Sequence, residues 1–129
     1  MKDHRMHRID ESPTDGRPAN IVEALQQHAF AKPNAVAFRY LDNAGNEATV
    51  NSYSELVAIC ERVAASLQKQ NLMGKRIVIL LPNEPAFVYA YLGCVLGGAI
   101  SIPIEPTRRL NTQERLEGVI SDARPSVII

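Results

Sequence analysis

Arg76-Ile77-Val78-Ile79-Leu80-Leu81 is an apolar run behind a single charge, and Pro82-Asn83-Glu84-Pro85 stops it. An unbroken rather than alternating run predicts a strand covered on both faces, as in a parallel sheet flanked by helices. Pro85 suits the first turn of a helix, where the missing N–H leaves no bond unmade. Phe87–Leu96 is apolar nearly all round, which predicts a helix buried on more than one side. Gly97-Gly98 ends it, and Ala99-Ile100-Ser101-Ile102 reads as a second strand. A further helix opens at Asn111 or Thr112, with Glu114 available for its cap and Leu116, Val119 and Ile120 as its buried face. Pro125 then leads into the strand Val127-Ile128-Ile129. The order β-α-β-α-β over 76–129 is the doubly wound parallel pattern, with right-handed crossovers expected.

Ahead of this sheet the chain changes character. Asn20 with Glu23 three positions on resembles a capping box. Ile21, Leu25, His28 and Ala29 fall on one face of the helix it opens, which Pro33 ends. Ala35–Leu41 is strand-like, Asp42-Asn43-Ala44-Gly45-Asn46 supplies turn chemistry, and Glu47–Asn51 returns as the partner strand. Ser52 and Glu55 make a second capping box. The helix behind them places Leu56, Ile59, Cys60, Val63, Ala64 and Leu67 at helical spacing and runs to near Gln70, with Gly74 in the turn beyond. The fold class is therefore α/β: a small leading αβ region with a hairpin, then the beginning of a doubly wound parallel sheet. Residues 1–19, polar and marked by Pro13, Gly16 and Pro18, read as a flexible tail, and 20–129 as the folded part. The apolar run at Val127–Ile129 has no turn residues after it, which predicts an incomplete sheet and a chain that is the front portion of a longer one.

Composition narrows the function classes. Fourteen Lys/Arg balance fourteen Asp/Glu, which gives no electrostatic reason to expect nucleic acid or an anionic membrane as a partner. Pro85–Ile104 carries no charge, long enough to suggest a membrane span. Gly97-Gly98 and Pro103 interrupt it, and Tyr89, Tyr91 and Ser101 dilute it, so a buried helix followed by a strand explains it better. Cys60 and Cys94 stand in apolar helical patterns, as reduced core residues of a cytoplasmic protein do. Residues 1–19 lack the long apolar stretch of an export signal.

Candidate chemistry is sparse. His4 and His7 form an H-x-x-H without further ligands to support a metal. His28 could act as a base, but its place on an apolar stripe favours a packing role. Gly93-Cys94-Val95-Leu96-Gly97-Gly98 closes a helix instead of opening one, so it is not a phosphate cradle; its glycines end the helix or allow close packing. Gly74-Lys75 resembles the end of a phosphate loop, yet a strand follows it. Pro82-Asn83-Glu84-Pro85 lies after a parallel strand, where open α/β sheets bind ligands, and Glu84 is either a ligand contact or an acid favoured at a helix N-terminus. In Pro103–Arg109, Arg108 and Arg109 could hold a phosphate or carboxylate, or serve as surface charges. No Ser-His-Asp set, metal site or carboxylate pair can be assembled, so no catalytic, cofactor-binding or metal-ligating residue is assigned.

Lys32–Phe38, then Ser52-Tyr53-Ser54-Glu55-Leu56 and Val63–Leu67, are similar to the N-terminus of adenylate-forming enzymes. Ile77–Phe87, Tyr91-Leu92-Gly93-Cys94 and Gly97–Pro103 resemble them most closely. Leu92-Gly93-Cys94 with Pro103, Pro106, Arg108-Arg109 and Glu114-Arg115-Leu116 is most similar to fatty-acyl-AMP ligases. The resemblance covers residues 20–129. It implies a parent ligase that activates a fatty acid with ATP and Mg²⁺ to an acyl-adenylate and passes the acyl group to an acyl carrier protein thiol or to coenzyme A. The family's phosphate loop, nucleotide motifs and catalytic lysine all lie downstream of this region. The expectation is therefore an inactive scaffold segment that binds no cofactor and self-associates through its unfinished sheet. The competing reading is a self-contained, non-catalytic α/β binding or assembly module.

Overall fold

The computed structural model describes residues 16–106 and 112–129. Along them run α1 (Ile21–Ala31), β1 (Val36–Leu41), β2 (Glu47–Ser52), α2 (Tyr53–Lys69), β3 (Arg76–Ile79), α3 (Pro85–Leu96), β4 (Ile100–Pro103), α4 (Thr112–Ala123) and β5 (Val127–Ile128). The two expected blocks are both present: β1 and β2 form an antiparallel pair, and β4-β3-β5 a parallel sheet.

The period-2 alternation of a strand explains how one apolar run serves two faces. Ile77 and Ile79 join a core with Leu67 and Leu72 at the end of α2 and Ala90 and Cys94 of α3. Leu80, one step out of phase, lines the opposite side with Ile102, Ile104 and the α4 residues Leu116 and Val119. Helices therefore cover both faces, and Ile77, Val78 and Ile79 are all fully buried. The strand was expected to reach Leu81, but regular pairing ends at Ile79. Leu80 still donates its N–H to the Ile129 carbonyl at 2.8 Å, and Pro82 then ends the ladder, having no N–H to give.

Local chemistry sets the boundaries. Ser52 accepts from the Glu55 N–H while the Glu55 carboxylate accepts from the Ser52 N–H, a full capping box on α2. At α1 the pattern is offset: Asn20 accepts from the Glu23 N–H at 2.9 Å, but the Glu23 carboxylate takes the Ala19 N–H instead of that of Asn20. α3 ends in a Schellman turn, with Gly98 at φ +72°, Ala99 N–H on the Cys94 carbonyl and Gly98 N–H on that of Val95. α2 ends the same way on an asparagine: Asn71 has φ +57°, and Leu72 N–H reaches the Leu67 carbonyl at 3.0 Å. In the hairpin, the Asp42 carboxylate accepts from the Ala44 and Asn46 N–H groups, each at 2.9 Å. Those bonds hold its carboxyl below the ordinary carboxylate range.

One face was misassigned. Ile21 and His28 are exposed, and α1 instead turns Val22, Leu25 and Ala29 toward the body. The expected tail overlaps residues 1–15, including His4 and His7, which lie outside the described residues, as does Asn111 at the expected start of α4.

Candidate functional site

Parallel pairing brings together the two loop segments that the sequence singles out. Ile79 pairs with Pro103, and the Ile104 N–H donates to the Ile79 carbonyl at 2.9 Å. The chain leaves both strands at the same end of the sheet, where open α/β sheets hold their ligands. Between the segments lies a cleft of about 360 Å³ lined by Leu81, Pro82, Asn83, Phe87, Pro103, Ile104, Glu105 and Pro106. Phe87, from the first turn of α3, stacks on Tyr91 with centroids 6.1 Å apart, which fixes its ring as one wall. A second cleft of about 310 Å³ adjoins it under α4 and shares Pro103, Ile104 and Glu105, adding Arg115 among others.

The sequence-singled residues divide. Asn83 and Pro82 line the cleft, whereas Glu84 takes the N-cap position of α3 without a side-chain cap bond, followed by Pro85. Its place at the helix end fits the second of its two readings, and it is not among the residues that line the cleft. Arg108 and Arg109 lie outside the described residues. Glu105, Phe87 and Arg115 were not weighed as site residues, and the strand register that gathers them is the signal that finds them. Among the described residues neither cleft is lined by Ser, Cys, His or Lys, so that lining can enclose an apolar or planar group but offers no nucleophile–base pair.

Other reactive side chains are placed for packing. Cys60 and Cys94 are free and fully buried. Desolvation, with the Glu61 charge adding to it, pushes the Cys60 thiol up to about 11; desolvation also raises that of Cys94. Both therefore stay protonated and unreactive at neutral pH. His28 lies 5.1 Å from the Tyr53 ring, centroid to centroid, with Lys32 Nζ 5.7 Å over the same ring. Gly93 and Gly97 lie against α2, where an added Cβ would meet Val63 and Ala64, so these glycines permit close packing.

The described residues do not form a site for the nucleotide or metal that the resemblance implies. Among the described residues no three His, Cys, Asp or Glu side chains gather as a metal-ligand set. No glycine stands between a strand and the helix that follows it, where a phosphate cradle needs one. No step of phosphoryl chemistry is assigned to this chain.

A helix–hairpin–helix lead followed by a β-α-β-α-β sheet makes this an α/β protein. The same fold occurs in the fatty acid AMP ligase of Legionella pneumophila, with a TM-score of 0.76 at 23% identity over 83% of this chain and 18% of that one. The chain belongs to the AMP-binding enzyme family, whose model matches residues 25–129. It is 32% identical over 114 residues to the medium-chain-fatty-acid–[acyl-carrier-protein] ligase JamA of Moorena producens, covering 86% of this chain and 19% of that protein. To the long-chain-fatty-acid–AMP ligase FadD23 of Mycobacterium tuberculosis it is 27% identical over 113 residues, 85% of this chain and 19% of that one. The chain thus spans about a fifth of the length of the relatives it matches. No helix among the described residues is long and apolar enough to cross a membrane.

Proposed function

We propose that residues 20–129 are the N-terminal part of the large adenylation domain of a cytoplasmic ligase, with 1–19 ahead of it. The parent activates a fatty acid with ATP and Mg²⁺ to an acyl-adenylate, then delivers it to an acyl carrier protein or to coenzyme A. In this segment the residues build scaffold: a hairpin braced on two helices and the first three strands of a larger sheet. It carries no catalytic, cofactor-binding or metal-ligating side chain, and by itself it associates through the unfinished sheet. The observation behind this reading is the family match across residues 25–129 by a chain spanning a fifth of its relatives' length.

The 129-residue chain, incubated with ATP, Mg²⁺ and a medium-chain fatty acid, is expected to release no pyrophosphate above a buffer control. A full-length relative whose corresponding segment is replaced by residues 20–129 is expected to keep forming acyl-adenylate. Pyrophosphate from the isolated chain would overturn the scaffold role. A folded but dead chimera would overturn the placement within a ligase.

A further inference from the structure

We draw no further inference here: the strongest candidate outside the cleft already described, the exposed apolar side chains Val36, Leu41 and Val50 on the β1–β2 hairpin, has nothing in the structure to show what covers it.

Discussion

Gly93 is set into α3 where that helix lies on α2, and an added Cβ would overlap the Val63 side chain at its branch point. A β-branched neighbour has one favoured rotamer in a helix and cannot swing aside cheaply, so the backbone itself must move. Gly93→Ala is expected to destabilise the fold by about 1–3 kcal/mol, the usual cost of overpacking a dense contact. Gly118 is the counter-case: it lies within α4, is exposed, and an added Cβ there meets nothing within 4 Å. Gly118→Ala is expected to stabilise by about 0.5–1 kcal/mol through the chain entropy that glycine loses on folding. Paired urea titrations of the two variants check both signs. The packing role of Gly93 was legible because a glycine inside an apolar helix asks for a reason. The placement of Ile21 and His28 was not, since a helix as short as α1 leaves its rotation to whatever it packs on. Here that is α2 and α3, and Val22 is turned inward beside the expected Leu25 and Ala29 while Ile21 and His28 are left exposed.

At the scale of elements, the hairpin is tied to α3 through Tyr89. Asn51, at 7% exposure, is the buried polar residue among those described, and its Oδ1 accepts the Tyr89 hydroxyl at 2.6 Å. The same Tyr89 ring meets Phe38 of β1 edge-on, with centroids 6.2 Å apart. Tyr89→Phe keeps the ring contact but leaves the Asn51 oxygen without its partner, which is expected to cost about 1–3 kcal/mol. Hydrogen exchange should speed up chiefly in β1 and β2, while β3, held from both faces, stays protected. Unchanged exchange in the hairpin would mean that the Phe38 contact and the turn at Asp42 suffice to hold it. The elements themselves were largely readable, because capping residues, the hairpin turn and paired glycines act over a few residues. The end of α2 near Gln70 and the turn at Gly74 were both readable, but the positive φ of Asn71 was not, although asparagine tolerates it. Nothing in the spacing of the chain announces the Asn51–Tyr89 bond, since its partners are far apart in sequence.

For the whole molecule, the β-α-β-α-β order could be read in advance, but not the strand order β4-β3-β5 or the cleft that it creates. Both depend on which side of β3 each crossover lands. Register then decides that Phe87 and Glu105 share one cleft, and Glu84, although adjacent in sequence to Asn83, does not line it. The same layered burial gives the folded state a pH dependence at its alkaline end. Cys60 is fully buried, and its thiol titrates at about 11 against an ordinary value of 9.0. In the unfolded chain the thiol ionises first, so between those values the unfolded state is the one that has shed its proton. The stabilisation from keeping this thiol neutral is thus fully present below pH 9.0 and is lost as pH rises toward about 11. Urea midpoints are expected to hold steady from neutral pH to the ordinary thiol range and to fall above it. Cys60→Ala, which removes the titrating group at the cost of a small cavity, should start from a lower midpoint and decline less steeply. Parallel slopes for the two chains over that alkaline range would show that another group governs the loss.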